Sequence, residues 1–259
     1  MELTIPVEGG TLWADDSGGE LPPLVLLHPG VGNSTIWDGM LPALAARYRV
    51  IRFDWRGYGR SPLPTAPYTT LGDLTAVLDH FGLDRVPLVG ASMGGRAALS
   101  LALTQPARVS ALVLVTPGVS GYDWPDEPAA DAEYEALVAA GDVDGLTGFG
   151  LRRWGAAGHD PVARAQMAGA ARAWAAEDEF GRPDPPVYDR LGEVAVPTVL
   201  LLGEADTPTL VEANERMAAR IPGCRLIRMP GVDHLPQLRV PDLLVATILE
   251  HLDGTGRES

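Results

Sequence analysis

Short, continuous apolar runs recur along the chain and alternate with segments of helical periodicity. The runs occupy residues 23–28, 48–54, 86–90, 109–117, 197–203 and 224–230. Continuous apolar runs, without alternation, are typical of strands buried on both faces of a sheet. In residues 69–82, by contrast, leucine, valine and phenylalanine recur on one helical face, and Thr69 or Thr70 is suited to cap that helix. The alternation predicts an α/β fold with a parallel sheet.

The N-terminal segment departs from this alternation. Residues 1–7 and 10–18 read as two strands, and Gly9 and Gly10 lie where the chain needs a tight turn between them. The pattern predicts a hairpin at one edge of the sheet.

A second departure covers residues 119–190, where no convincing β run is present. Three stretches within it have helical patterns, and prolines are concentrated at both of its ends. This arrangement is typical of an insertion between two strands. We therefore expect a core domain formed by residues 1–118 and 191–259, interrupted by a helical insertion.

Composition and charge narrow the class of protein. The 259 residues are 46% hydrophobic and 21% charged, as in a folded globular protein. The net charge of -14 and the lack of a basic cluster argue against a nucleic-acid partner. No apolar run approaches the roughly 20 residues that span a membrane, and no signal sequence is visible. We expect a soluble, cytoplasmic protein without a membrane partner; its oligomeric state is open.

The most informative stretch is "VPLVGASMGGRAALSLAL", in which Ser92 follows an apolar run and precedes an Ala/Leu-rich helix. A nucleophilic serine has to be exposed at a strand end, and the tight turn that holds it requires small residues two positions before and two after. Gly90 and Gly94 occupy those positions. The context predicts a nucleophile; the alternative is that Ser92 only caps the helix.

A nucleophilic serine needs a base, usually histidine, and the sequence contains five histidines. His234, in "PGVDHLPQL", lies on a loop between the last apolar run and the final helix, and it is the expected base. His28 closes a strand. For His80, His159 and His251 we expect packed or solvated positions.

The carboxylate that orients the histidine should lie on a strand-end loop between serine and histidine in chain order. Asp206, in "LLLGEADTPT", follows the strand predicted at 197–203 by a few residues. Its neighbour Glu204 could compete for the role, and Asp123 is a weaker candidate near the start of the insertion. The alternative role of Asp206 is to cap the helix that begins near Pro208.

The order Ser92, Asp206, His234 and five motifs together indicate a family. "HPGVG", "DWRGYGRS", "GASMGG", "GEAD" and "GVDH" follow the third, fourth, fifth, seventh and eighth predicted strands. With them the chain resembles the α/β-hydrolase superfamily over nearly its whole length, within the branch of esterases, enol-lactonases, haloperoxidase-like enzymes and carbon–carbon hydrolases. The resemblance implies an eight-stranded, mostly parallel sheet and a helical cap after strand six, where residues 119–190 lie.

The same resemblance implies an oxyanion hole made of two backbone N–H groups. One is that of Met93, and the other comes from "HPGVG", either from Gly30, which we favour, or from Val31. Pro29 stands where the family usually has a second glycine. Because the residue at that position is not the expected donor, the hole should survive with a stiffer loop.

Two further motifs place charged residues near the expected site. For "DWRGYGRS" the resemblance implies that Asp54 and Arg56 brace loops around the site. Asp233 precedes the histidine, where the family commonly has glycine. It could either raise the basicity of the histidine or simply face solvent, and both possibilities are open.

The insertion is expected to form the roof of the site and to select the substrate. Trp124, Trp154 and Trp174 are the candidates for the substrate pocket, although aromatic residues here could equally be packed between helices. Arg152 and Arg153 could meet a substrate carboxylate, but helix surfaces commonly carry such pairs.

These observations favour a serine hydrolase that cleaves an ester, lactone or similar acyl bond of a small, partly apolar substrate through an acyl-enzyme. Such a reaction needs no metal or cofactor, and the single Cys224 excludes an intrachain disulfide and a cysteine-based metal cluster. The alternatives are a carbon–carbon bond hydrolase, a cofactor-free perhydrolase and, outside the enzymes, a small-molecule-binding protein with negligible turnover. The acyl group and the leaving group stay open.

Overall fold

The computed structural model describes residues 1–158 and 160–255. Eight strands in that part of the chain form one sheet: β1 (Glu2–Val7), β2 (Gly10–Asp16), β3 (Pro23–Leu27), β4 (Arg49–Phe53), β5 (Val86–Ala91), β6 (Val109–Val115), β7 (Thr198–Gly203) and β8 (Arg225–Met229). Their order across the sheet is β1-β2-β4-β3-β5-β6-β7-β8. β2 pairs antiparallel with β1 and with β4, and the other neighbours are parallel. The predicted α/β fold with a mostly parallel, eight-stranded sheet is confirmed.

The N-terminal hairpin is present, with its turn one residue earlier than predicted. Val7 pairs with Gly10, so Glu8 and Gly9 form the two-residue turn. Gly9 has a φ of +72°, a conformation that glycine adopts without steric cost.

The described part of the chain contains nine α-helices: α1 (Leu41–Ala45), α2 (Thr70–His80), α3 (Met93–Thr104), α4 (Pro128–Ala140), α5 (Val143–Trp154), α6 (Pro161–Phe180), α7 (Pro208–Arg220), α8 (Pro236–Arg239) and α9 (Pro241–Thr255). Of these, α1, α2, α3, α7 and α9 pack against strands of the sheet. β3, β5, β6 and β7 are almost fully buried, which explains their continuous apolar sequences. α2 is capped by Thr69, whose hydroxyl oxygen accepts from the Gly72 N–H at 3.0 Å. Among the helices described, none is both long and apolar enough to cross a bilayer.

Three helices, α4, α5 and α6, lie between β6 and β7 in chain order. They pack in sequence, α4 on α5 and α5 on α6. Their shared interior is aromatic: the ring of Tyr134 in α4 lies 6.0 Å from that of Phe149 in α5 and 6.2 Å from that of Trp174 in α6. The helical stretches predicted within residues 119–190 are therefore present.

The turn between β5 and α3 has room only for glycine at two positions. A Cβ added to Gly90 would lie 2.5 Å from the Gly94 carbonyl oxygen, and one added to Gly94 would lie 2.4 Å from the Leu27 carbonyl oxygen in β3. Real Cβ atoms essentially never come within 3.0 Å of other atoms. The two glycines therefore let α3 begin directly against β3 and β5.

We predict that Gly94→Ala lowers the free energy of unfolding by about 2–4 kcal/mol. The added methyl group would clash with backbone atoms of β3, which cannot rotate away as a side chain could. Gly39→Ala is the matched control: nothing lies within 4 Å of its added Cβ, so the change should stay within about 0.5 kcal/mol. Urea unfolding measures both. Equal stability of the two variants would contradict the prediction.

Candidate active site

Ser92 occupies the turn between β5 and α3 in a sparsely populated backbone conformation. Its φ is 46° and its ψ is -111°, which for a residue other than glycine costs about 1–3 kcal/mol. Its N–H donates to the Val115 carbonyl at 3.1 Å, and its own carbonyl accepts from the N–H groups of Arg96 and Gly118. Although Ser92 stands at the N-cap position of α3, its side chain makes no capping hydrogen bond. Capping therefore does not explain this serine.

A buried histidine and a buried carboxylate meet on the loops that follow β8 and β7. His234 Nδ1 and Asp206 Oδ2 are 2.5 Å apart, and the other carboxylate oxygen accepts from the Thr207 N–H at 2.7 Å. Because an ionised carboxylate can only accept, Nδ1 carries the proton and Nε2 is left as an acceptor. The His234 N–H donates to the Trp154 carbonyl, which also fixes the loop. A general base needs this arrangement.

The other two carboxylates considered for this role lie elsewhere. Glu204 pairs with an arginine of β8 at 3.4 Å on the surface, and Asp123 is exposed to solvent. Thr207, not Asp206, caps α7: its hydroxyl oxygen accepts a backbone N–H of the first turn at 3.4 Å. Asp206 is therefore the carboxylate that the fold brings to His234.

Two of the remaining histidines occupy ordinary positions, as expected. His80 is exposed on α2, and His251 is half-buried on α9, 3.2 Å from the Pro197 carbonyl oxygen. Neither lines the cavity that contains Ser92. His159 lies outside the described residues.

Three backbone N–H groups are available close to Ser92. Gly30 and Val31, on the loop after β3 (residues 28–35, the β3 loop), line the same cavity as Ser92 and Met93. Within the described part of the chain, no backbone-to-backbone hydrogen bond uses the N–H of Gly30, Val31 or Met93. A Cβ on Gly30 would lie 3.7 Å from the Met93 Cβ, so these two residues are side by side. The geometry allows the predicted donor pair, Gly30 and Met93, and Val31 stays the alternative.

His28, placed by the sequence only at a strand end, anchors the β3 loop. Its Nε2 accepts from the Trp55 N–H at 3.0 Å, so Nδ1 carries the proton and donates to the Pro29 carbonyl at 2.8 Å. Burial lowers the pKa of His28, against the opposing effect of the Asp54 carboxylate 3.9 Å away. Because peptides are planar and trans, the neutral ring also fixes the direction of the Gly30 N–H. A histidine directly before Pro-Gly at a strand end is the signal that could have shown this role.

Asp54 and Arg56 of "DWRGYGRS" brace different parts of the structure. Asp54 accepts from the N–H groups of Ser34 and Arg60, at 2.7 and 2.9 Å, which ties the β3 loop to the turn after β4. Arg56 instead forms a buried ion pair with Asp73 of α2 at 2.7 Å. Arg56 lies two residues before Tyr58, which lines the cavity, so its pair with Asp73 holds the turn after β4 against α2. This agrees with the expectation that Arg56 braces a loop around the site.

Asp233 is fully buried and paired with Arg239, so it does not face solvent. Its carboxylate is 2.9 Å from Arg239 Nη2 and accepts from the N–H groups of Ala157 and Leu235 at 2.9 and 3.0 Å. Within the described residues, the Asp233 carboxylate makes no hydrogen bond to the imidazole ring of His234. Asp233 therefore does not act on that ring through a hydrogen bond. Arg239 also donates to a carbonyl between α5 and α6 at 2.6 Å. The pair fastens the loop of His234 to that segment.

The site opens into a cavity of about 410 Å³, within the roughly 300–1,000 Å³ of small-molecule sites. Its apolar wall includes all three tryptophans singled out in the sequence, Trp124, Trp154 and Trp174, together with Val119 and Leu210. Trp154 meets Trp174 edge-on, with 5.8 Å between ring centroids, while Trp124 is 39% exposed. Their contact with a substrate stays a prediction.

Charged side chains also line this cavity. Arg153 makes two hydrogen bonds to Glu127, at 2.6 and 2.7 Å, and Arg96 lies 3.9 Å from Glu177. Arg152 pairs with a glutamate of α4 and does not line the cavity. Of the two arginines considered for a substrate carboxylate, only Arg153 is in place, and Glu127 already balances its charge. Across the residues that the structure describes, no group of histidine, cysteine and acidic side chains has the arrangement of a metal site.

The mostly parallel sheet, the strained turn that holds Ser92 and the buried pair of His234 and Asp206 indicate the α/β-hydrolase class of protein. The family described as alpha/beta hydrolase fold matches residues 22–157, more than half of the 259-residue chain. The chain belongs to this family and is an α/β-hydrolase enzyme.

Individual relatives agree with this assignment. The chain is similar to a pimeloyl-[acyl-carrier protein] methyl ester esterase of Nitrosomonas europaea, with 27% identity over 89% of this chain and 96% of the relative. It is also similar to 3-oxoadipate enol-lactonase 1 of Acinetobacter baylyi, with 26% identity over 92% and 91%. The crystal structure of a hydrolase from Pseudomonas aeruginosa PA01 has a TM-score of 0.81 and 29% identity, and the match covers 97% of this chain and 98% of that one. The relatives of this α/β hydrolase thus include esterases and a lactonase.

We predict that His28 makes the folded state lose stability as the pH falls below about 6.5. Burial lowers its folded pKa below the ordinary value of 6.5, so the unfolded chain takes up this proton first and is favoured as the pH falls. The loss is about 1.4 kcal/mol per pH unit, from pH 6.5 down to the folded pKa. Urea unfolding at about pH 7.5, 6.5 and 5.5 measures the slope.

His28→Asn is the comparison variant, because asparagine keeps a donor near the Pro29 carbonyl but cannot take up this proton. Its stability should fall less steeply over the same pH range. His251, whose pKa is also lowered by burial, affects both proteins alike. Parallel slopes for variant and wild type would show that His28 does not titrate in this way.

Proposed function

We propose that the chain is a serine hydrolase in which Ser92, His234 and Asp206 form a catalytic triad. The observation that carries the proposal is the buried contact of 2.5 Å between His234 and Asp206, with His234 lining the same cavity as Ser92. A carboxylate that holds the imidazole through Nδ1 leaves Nε2 free to accept a proton. The strained turn and the free N–H groups beside it support the same role for Ser92.

The reaction begins when His234 Nε2 removes the hydroxyl proton of Ser92 while the serine oxygen attacks a carbonyl carbon. The carbonyl oxygen gains negative charge, and the N–H groups of Gly30 and Met93 receive it. In comparable enzymes each such donor contributes about 3 kcal/mol. Asp206 stabilises the imidazolium and keeps the ring oriented.

Collapse of this tetrahedral adduct releases the first product. His234 gives its proton to the leaving oxygen, the bond between carbonyl carbon and leaving oxygen breaks, and the acyl group remains as an ester on Ser92. A water molecule then attacks this ester with His234 again as base. The acid leaves, and the serine hydroxyl regains its proton.

The substrate class that we propose is an ester or lactone of a small, partly apolar acid. By their names, the esterase and the enol-lactonase among the relatives act on an ester and a lactone. The cavity of about 410 Å³ and its apolar wall support a small substrate, which Trp124, Trp154 and Trp174 would contact. In this proposal residues 119–190 act as the cap over the site, and the rest of the chain is the core.

Ser92→Ala should abolish ester hydrolysis, because no acyl-enzyme can form. With p-nitrophenyl acetate and butyrate we expect kcat to fall by at least about 1,000-fold. A fluorophosphonate probe should label the wild type and not the variant. Ser100→Ala is the matched control. It removes the hydroxyl of another serine, within α3, that is buried and has no hydrogen-bond partner in the described part of the chain, and it should leave labelling intact.

The same assays separate this proposal from its alternatives. A protein that only binds small molecules would show neither hydrolysis nor labelling, and that result would contradict the proposal. A carbon–carbon hydrolase or a perhydrolase would be labelled at Ser92 but would hydrolyse the esters poorly. Cleavage of a vinylogous diketone would identify the former, and peracid formation from hydrogen peroxide the latter.

Asp206→Asn should lower kcat by about 10,000-fold, because an amide favours the wrong imidazole tautomer and stabilises the imidazolium poorly. Glu204→Gln changes a neighbouring carboxylate that pairs with Arg228 on the surface, so kcat should change by less than about twofold. Initial rates with p-nitrophenyl acetate compare the two variants. A larger loss in the Glu204 variant would mean that the orienting carboxylate is Glu204.

A further inference from the structure

One face of α6 is hydrogen-bonded to the loops beneath it. Gln166 and Trp174 bond to the β3 loop, and Glu177 accepts from the Tyr58 hydroxyl, on the turn after β4, at 2.5 Å. Gln166 is 5% exposed and Trp174 is 7% exposed. The helix is therefore joined to the site by buried polar contacts as well as by apolar packing.

The acceptor of the Trp174 hydrogen bond is the carbonyl of Gly30, the residue whose N–H is proposed as an oxyanion donor. The indole N–H donates to the Gly30 carbonyl at 2.8 Å. This carbonyl belongs to the peptide that follows Gly30, and His28 holds the carbonyl of the peptide that precedes it. Since trans peptides are planar, the two bonds fix the peptide planes on both sides of Gly30. The N–H of Val31, in the plane held by Trp174, points away from the indole.

Gln166 holds the far end of the same loop. Its Oε1 accepts from the Asn33 N–H at 2.9 Å, and its Nε2 donates to the Thr35 hydroxyl at 2.7 Å. A Cβ on Gly32 would lie 2.6 Å from Oε1, so the amide is packed against the loop. Both functions of the amide are used, and a carboxylate or an alkyl side chain cannot supply both.

We infer that Trp174 and Gln166 are positioning residues of the oxyanion hole, through which the helical insertion holds the β3 loop, and with it the N–H groups of Gly30 and Val31, in place for the transition state. The inference rests on the proposed function and adds that α6 acts on the chemical step. The two residues act through the β3 loop. If their hydrogen bonds are lost, the tetrahedral intermediate is stabilised less, while binding of the intact ester changes little.

Trp174→Phe tests the indole hydrogen bond, because phenylalanine keeps an aromatic ring in the cavity wall and lacks the N–H. With p-nitrophenyl butyrate we expect kcat to fall by about 10- to 100-fold and KM to change by less than about threefold. A trifluoromethyl ketone forms an oxyanion adduct with the serine. Its affinity should fall by the same factor as kcat/KM.

Trp37→Phe is the matched control. Trp37 is fully buried, and its indole N–H has no hydrogen-bond partner in the described part of the chain. This variant loses the same volume without losing a hydrogen bond, so kcat and inhibitor affinity should stay near those of the wild type. Thermal unfolding of each variant confirms that it is folded under the assay conditions.

Two variants of Gln166 test the other contact. Gln166→Glu keeps an acceptor for the Asn33 N–H and loses the donor, whereas Gln166→Leu loses both. We expect kcat to fall in both variants, and further in the leucine variant, with KM again little changed. Either of two results would show that Gln166 does not act in this way: an equal fall in kcat in both variants, or a change in KM without a fall in kcat.

Several results would overturn the assignment of Trp174. These are wild-type kcat and inhibitor affinity in Trp174→Phe, an effect on KM alone, and an equal loss of kcat in Trp37→Phe. In each case Ser92-dependent labelling of the wild type would show that the proposed function stands and that this inference alone has failed. Without such labelling, both fail together.

Discussion

The tight turn between β5 and α3 is the constraint on which the rest of the site depends. Because Gly90 and Gly94 carry no side chains, α3 begins in contact with β3 and β5, and Ser92 is forced into a strained conformation. Backbone bonds to the ends of the neighbouring strand β6 and the segment after it hold that strain in place. Parallel strands end at one edge of the sheet, so the loops after β3, β7 and β8 reach the same point.

Two of the buried polar side chains at this edge have protein partners for their hydrogen-bonding atoms, which offsets the cost of burying them. Asp206 is shared between His234 and a backbone N–H, and His28 uses both ring nitrogens. Against this background the N–H groups of Gly30 and Met93 are unusual, because no backbone acceptor takes them within the residues described. Donors left free next to a strained serine are suited to a substrate's charge and have no evident structural use.

The sequence was sufficient for features that leave a local mark. Buried strands show as continuous apolar runs, and a turn that excludes side chains shows as glycine at 90 and 94. Chain order fits Asp206 and Glu204 equally, since both lie between Ser92 and His234, and only the side-chain directions show that Asp206 is the one that reaches His234. Contacts between distant segments leave no such mark: the pairing of Arg56 with α2, the tautomer of His28 and the bonds from α6 to the β3 loop all depend on tertiary packing.

The buried pair of Asp233 and Arg239 limits how this enzyme can be recombined. Its hydrogen bonds to the Ala157 N–H and to a carbonyl in the same segment join the loop of His234 to the joint between α5 and α6. An insertion exchanged for that of another α/β hydrolase would leave these charged groups short of partners, in direct contact with the histidine loop. Under the proposed function, in which the insertion forms the cap over the site, substrate preference is therefore more easily altered by substitutions on the inner faces of its helices than by exchanging the insertion as a whole.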